Sequence, residues 1–216
     1  MLMKILVMAA AYFLGNFNSG IIFSRVFHHK DIRQFGSKNP GTTNAFRVLG
    51  KLTGSLVLFA DALKGAAAVL LAKALLGNET APGPDFWPAL AGLLVIVGHI
   101  YPVLFKFKGG KGVATTAGVT LILQPVVLLL VLIPFLILLF TVKYMSVASV
   151  TGALLLPWGT LAWQRGTLGG LFWLALIQAA LIVFTHRSNL GRLRNHTENK
   201  LFQKKKTEAE VKGTGV

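Results

Sequence analysis

VATTAGVTLILQPVVLLLVLIPFLILLFTV, residues 113–142, is a run of 30 residues without a single charge. As one helix it would measure about 45 Å, against a membrane hydrocarbon core of about 30 Å. Gln124-Pro125 is where it divides most naturally. Proline has no N–H to donate, and its ring collides with a carbonyl of the preceding turn. The division predicts helices over 113–124 and 126–142, the first short enough to require tilt or burial among neighbours. It also sets the parity of the chain. With it, apolar segments at roughly 4–24, 52–76, 86–105, 113–124, 126–142, 146–163 and 168–186 make seven spans.

Charge supports that parity. With seven spans, residues 25–51, 106–112, 143–145 and everything from His186 onward share one side of the membrane. Of the 22 Lys and Arg, all except Lys4, Lys64, Lys73 and Arg165 lie there. The positive-inside rule makes this side cytoplasmic, with the N-terminus outside and the C-terminus inside. The first segment, whose apolar pattern runs on through Ile21, Ile22 and Phe23, reads as an uncleaved span rather than a signal peptide.

Composition narrows the class. Of 216 residues 54% are hydrophobic and 13% charged, at a mean hydropathy of +0.64, which is membrane-protein composition. The net charge of +15 sits between apolar spans, so no nucleic acid is expected as a partner. Anionic ligands and membrane lipid are. The absence of Cys removes thiolate nucleophiles and Cys-held metals. Before the polar stretch at the C-terminus, Asp31 is the one acidic residue on the basic side. A carboxylate-bound magnesium centre is therefore not expected, and neither is a cofactor. The fold expected is all-α and polytopic, a transmembrane domain over 1–196 followed by a basic, disordered cytoplasmic tail over 197–216.

Three polar clusters stand on the basic side. In the first, Gly36 and Gly41 allow tight turns, Ser37, Asn39, Thr43 and Asn44 supply short hydrogen-bonding groups, and Arg47 offers a planar fork one turn into a helix. An ordinary loop capped by Thr42 or Thr43 explains the same residues. In the second, Gly98-His99 precedes Lys108-Gly109-Gly110-Lys111-Gly112 and a helix start at Val113 to Thr115. Its logic is that of a phosphate loop: glycines expose N–H groups and a helix N-terminus adds positive potential. The spacing is not that of a nucleotide-hydrolysing loop. In the third, His186 and Asn189 are three apart, beside Arg187 and Arg192. Inside the second span, Asp61 and Lys64 at i,i+3 are expected to neutralise one another.

Taken together, Gly36-Ser37-x-Asn39-x-Gly41-x-Thr43-Asn44-x-x-Arg47, Gly98-His99-x-x-Pro102 with Phe107-Lys108-Gly109-Gly110-Lys111-Gly112-Val113-Ala114-Thr115, and His186-Arg187-x-Asn189-x-x-Arg192-Leu193 resemble the bacterial acyl-phosphate:glycerol-3-phosphate acyltransferase family. The likeness runs over residues 14–198. Lys38 and Pro40 stand where the family more often has glycine and another residue.

The resemblance implies a seven-helix enzyme of the bacterial inner membrane, active in phospholipid biosynthesis. It would move a fatty acyl group from acyl-phosphate to the 1-hydroxyl of glycerol 3-phosphate, giving lysophosphatidic acid and phosphate. It implies Ser37, Arg47, Lys111, His186 and Asn189 as catalytic. Asn39, Gly41, Thr43, Asn44, His99, Gly109, Gly110, Gly112 and Thr115 would bind substrate, with no metal. The soluble enzyme that makes acyl-phosphate is a further expected partner. The donor is a mixed anhydride with a good leaving group, so positioning and charge stabilisation suffice without a Cys or a metal. Either His186 or the acceptor's own phosphate can take the hydroxyl proton. A transporter or channel for an anionic phosphorylated metabolite remains the alternative, although such sites usually lie near the midplane on broken helices.

Overall fold

The computed structural model describes residues 1–77, 83 and 85–201, and every regular element among those residues is a helix. Its helices are α1 (Leu2–Asn16), α2 (Ser19–His28), α3 (Thr42–Val48), α4 (Gly50–Leu76), α5 (Phe86–Ile100), α6 (Val113–Leu123), α7 (Pro125–Thr141), α8 (Met145–Trp163), α9 (Gly170–Thr185) and α10 (Arg187–Arg194), with short 3-10 turns at Ile32–Gln34 and Val103–Phe105. By length and composition three segments can cross a membrane, Gly50–Leu76, Phe86–Phe105 and Met145–Trp163. The number rises to 5 if each of the bent pairs α1–α2 and α9–α10 counts as one. Two shorter apolar helices, α6 and α7, complete the set.

The 113–142 run divides as its proline demands: α6 ends at Leu123 and α7 begins with Pro125 at its first position. Pro134, inside α7, does not end the helix. The 11 residues of α6 span only about 17 Å, and the helix is packed between α4, α5 and α7. Gly65 and Gly118 make the contact with α4 close. A Cβ on Gly118 would lie 1.9 Å from the Ala62 carbonyl, and one on Gly65 would lie 2.3 Å from that of Thr115. Small residues at such crossings replace the hydrophobic drive that lipid cannot supply.

The first apolar segment departs from the unbroken span expected over 4–24. It breaks at Phe17 with a 44° bend. Asn18 caps α2 by accepting from the Ile21 N–H, and asparagine competes with helical hydrogen bonds in this way. Carbonyls freed by the break, those of Gly15 and Phe17, accept from the Lys64 ammonium of α4 at 3.2 and 2.7 Å. A broken helix in a bundle persists only when such groups are satisfied again. The last span also bends, by 53°, at His186 between α9 and α10.

Candidate functional site

Four connecting segments meet at one end of the bundle. Arg33 donates to the Phe105 carbonyl at 3.4 Å, Lys111 to Asn189, Ser146 to Glu198 at 3.3 Å, and the Leu201 N–H to the Lys143 carbonyl at 2.8 Å. All three polar clusters of the sequence lie in these segments.

The first cluster is a self-braced loop. Asp31 holds Arg33 and Arg25 at 2.7 and 2.8 Å. Hydrogen bonds from Arg33, and then from Arg25, keep its carboxyl well below the usual carboxylate range against the cost of burial. Asn44, buried, accepts from the Ser37 N–H at 2.9 Å and donates to the carbonyls of Phe35 at 3.0 Å and Ile32 at 3.4 Å. Asn39 accepts from the Gly41 N–H at 2.9 Å. Both amides therefore shape the turn, and Gly41 is the N-cap of α3 with no side-chain cap. Thr43 sits half-buried in the first turn of that helix. What the loop leaves open is the Ser37 hydroxyl and the half-buried Arg47 guanidinium, neither of which has a partner among the described residues.

In the second cluster the glycines do something other than expected. The N–H groups of Gly109 and Gly110 donate to the carbonyls of Ile100 and His99, at 3.2 and 3.1 Å, so they are not free for a phosphate. Close approach to α5 is what requires glycine here. A Cβ on Gly109 would lie 2.0 Å from the His99 carbonyl, and one on Gly110 would lie 2.2 Å from its ring Nε2. Gly112, at φ +84°, turns the chain into α6. The first N–H groups of α6, over residues 113–115, are those without an intrahelical acceptor. The Thr115 hydroxyl is buried and unpartnered.

The third cluster closes on the second. Lys111 Nζ donates to Asn189 Oδ1, and Thr185 Oγ1 donates to the Lys111 carbonyl at 3.2 Å. Asn189 Nδ2 and Arg192 Nε donate to opposite oxygens of Glu198, each at 2.7 Å. Burial pushes Lys111 down to about 8. Glu198 opposes this, and the positive charges of Arg192 and Arg47 reinforce it, which places both arginines within electrostatic reach of the lysine. His186 is buried, and its Nδ1 lies 2.8 Å from the Ile182 carbonyl. A carbonyl only accepts, so Nδ1 carries the proton and Nε2 keeps a lone pair. The helix break at His186 leaves it and Asn189 both buried at the same end.

Residues 31–40 and 106–109 enclose a cleft of about 460 Å³ whose lining includes Arg33, Lys38, Lys106 and Lys108. Deeper, Asp61 and Lys64 pair at 2.9 Å as expected. Their neighbours were not anticipated: Ser19 Oγ donates to Asp61 at 2.7 Å and Lys64 Nζ lies 2.8 Å from His99 Nδ1. Glu198 was missed as well. It stands in a stretch read as a lysine-rich tail, and its spacing from Arg192 follows no helical period. Residues 202–216, the rest of that expected tail, lie outside the described residues.

Fold and site together define a multi-pass helical membrane protein with its cationic side chains and a buried imidazole gathered at one end. Comparison with known proteins makes this specific. The family model described as glycerol-3-phosphate acyltransferase matches residues 5–196, and the chain belongs to that family. The glycerol-3-phosphate acyltransferase of Staphylococcus carnosus (strain TM300) is 39% identical over 202 residues, 93% of this chain and 98% of the relative. That of Staphylococcus aureus (strain Newman) is 41% identical with the same coverage. Among solved structures, the glycerol 3-phosphate form of PlsY (YgiH), an integral membrane glycerol 3-phosphate acyltransferase, superposes with a TM-score of 0.82 at 35% identity over 93% of this chain and 99% of that one. The lysophosphatidic acid form of PlsY gives 0.79 at 34%, covering 91% and 94%.

Proposed function

We propose that this protein transfers a fatty acyl group from acyl-phosphate to the 1-hydroxyl of glycerol 3-phosphate, releasing phosphate and lysophosphatidic acid. One observation carries the reading: His186, its Nδ1 on the Ile182 carbonyl and its Nε2 unengaged, lies within electrostatic reach of Lys111, which in turn feels the charges of Arg47 and Arg192. The solved relatives with glycerol 3-phosphate and lysophosphatidic acid forms supply the acceptor and product of the same chemistry.

In this mechanism the acceptor phosphate lies against Arg47 and Lys111, while the donor phosphate takes the Ser37 hydroxyl and the free N–H groups opening α6. The 1-hydroxyl oxygen attacks the acyl carbonyl carbon, and the bond from that carbon to the phosphate oxygen breaks. Cations around the pocket stabilise the charge that develops on both oxygens. Nε2 of His186, holding a lone pair, receives the hydroxyl proton directly or through the acceptor phosphate. Asn189, fixed between Lys111 and Glu198, keeps the lysine oriented, and Asn39, Asn44, Gly41 and Thr43 hold the first loop in register.

The four segments that meet at one end support seven spans, with the N-terminus outside and the C-terminus cytoplasmic in a bacterial inner membrane. A cytosolic enzyme producing the acyl-phosphate would deliver it to this face. Transport is the less apt reading, because the carbonyls at the broken first span are taken up by Lys64 rather than left for a passing ion. The test is kinetic. Arg47→Ala and Lys111→Ala in the purified protein should each lower kcat/KM for palmitoyl-phosphate and glycerol 3-phosphate by about a hundredfold or more. Unchanged rates would reject the site.

A further inference from the structure

Below the glycine loop lies a group of side chains that the reaction scheme does not use. Asp61, Lys64 and His99 are 1, 4 and 3% exposed, and they join three separate segments. Lys64 Nζ is within hydrogen-bonding distance of Asp61 Oδ1, the Gly15 and Phe17 carbonyls and His99 Nδ1. Ser19 reaches over from α2 to donate to the same Asp61 oxygen. Satisfying the break between α1 and α2 requires Lys64 and a counter-charge, but no histidine.

The histidine's bonding pattern has a direction. An ammonium paired with a carboxylate has only protons to offer, so the 2.8 Å contact from Lys64 makes His99 Nδ1 the acceptor. The longer 3.5 Å approach of Nδ1 to Asp61 does not compete with it. The tautomer is assigned from these partners, and it puts the ring proton on Nε2. That nitrogen has no partner among the described residues. It faces Gly110, where a Cβ would collide with it at 2.2 Å. An N–H without an acceptor is open to one from a ligand, and here it lies against the loop that precedes Lys111.

We propose that Asp61 and Lys64 are positioning residues that lock His99 in the Nε2–H tautomer, so that its ring donates through the gap at Gly110 to a phosphate oxygen of bound substrate. Gly110 is glycine because any side chain would meet the ring itself. The same residue anchors the loop through its backbone, since the His99 carbonyl accepts from the Gly110 N–H. The inference rests on the reading of this end of the bundle as a phosphate site, and adds to His99, which the resemblance already implies as substrate-binding, the charge pair that sets its tautomer.

A double-mutant cycle in the purified full-length protein tests it, with palmitoyl-phosphate and glycerol 3-phosphate as substrates. Glutamine at 99 offers an amide N–H near the place of Nε2 whatever Lys64 does. His99→Gln should therefore retain most of the activity, whereas His99→Leu should lose about tenfold or more in kcat/KM. Lys64→Met should cost about tenfold in the native background but little further in His99→Gln, because coupled residues are not additive. An equal loss from Lys64→Met in both backgrounds would overturn the proposal, assigning Lys64 to the helix break alone. The charge-neutral pair Asp61→Asn/Lys64→Met stands in if the single variant does not fold. Independently of activity, nitrogen NMR of histidine-labelled protein, with His99→Gln to assign the signal, should show the proton on Nε2. A proton on Nδ1 would overturn it. Native protein that transfers no acyl group would reject the function proposed above, while the NMR result would still decide the tautomer.

Discussion

In the proposed reaction Lys111 is the residue on which the chemistry turns, and its environment gives it a pH signature. Burial brings it down to about 8, so in the free protein it loses its charge as pH rises through that value. Glycerol 3-phosphate is already dianionic there, its second proton leaving near about pH 6. The expected result is a kcat/KM for glycerol 3-phosphate that falls above about pH 8. Glu198 holds the lysine's proton on by attraction. Glu198→Gln removes that attraction, so the alkaline limb of the pH profile should move to lower pH; an unmoved limb would mean that another group titrates. His186→Phe should abolish most of the rate if the ring takes the proton itself. A loss of no more than about tenfold would favour proton transfer to the acceptor phosphate. Little of this was readable in the sequence. Lys111, Asn189 and His186 stood out by type and spacing, but Glu198 could not. What recruits it is a reversal of the chain after α10 that no periodic pattern announces.

At the scale of elements, the apolar segments were legible because membrane helices advertise themselves by length and lack of charge, and Gln124-Pro125 marked the division between α6 and α7 directly. The break at Phe17 was only half legible. The turn-forming stretch Gly15-Asn16-Phe17-Asn18-Ser19-Gly20 lies there within an otherwise apolar segment, but what satisfies the freed carbonyls, the Lys64 ammonium, lies 47 residues away. The roles of Gly109 and Gly110 were also misjudged at first, because a glycine chosen for close packing and one chosen to expose an N–H look alike in sequence. Structure separates them, and the difference is measurable. Gly118→Val puts a branched side chain against the Ala62 carbonyl, where even a Cβ would lie 1.9 Å away. It should destabilise the α4–α6 contact by about 1–3 kcal/mol, seen as a lower melting temperature in detergent. An unchanged melting temperature would show that α6 is not tightly held.

For the molecule as a whole, the uneven spread of Lys and Arg turned out to be two things at once. On the proposed topology some of these residues orient the chain, and others, Arg47 and Arg192, lie within electrostatic reach of Lys111. The seven spans proposed would put the C-terminus in the cytoplasm, so a reporter fused there should be active only in its cytoplasmic form; activity outside would break the parity. The central claim is that the pocket handles acyl-phosphate directly, two phosphate groups held side by side with a neutral imidazole between them. It is tested most directly by giving purified protein and glycerol 3-phosphate either palmitoyl-phosphate or palmitoyl-CoA. The account predicts that lysophosphatidic acid and phosphate appear in equal amounts with the first donor and that no product forms with the second. Product from palmitoyl-CoA alone would contradict it.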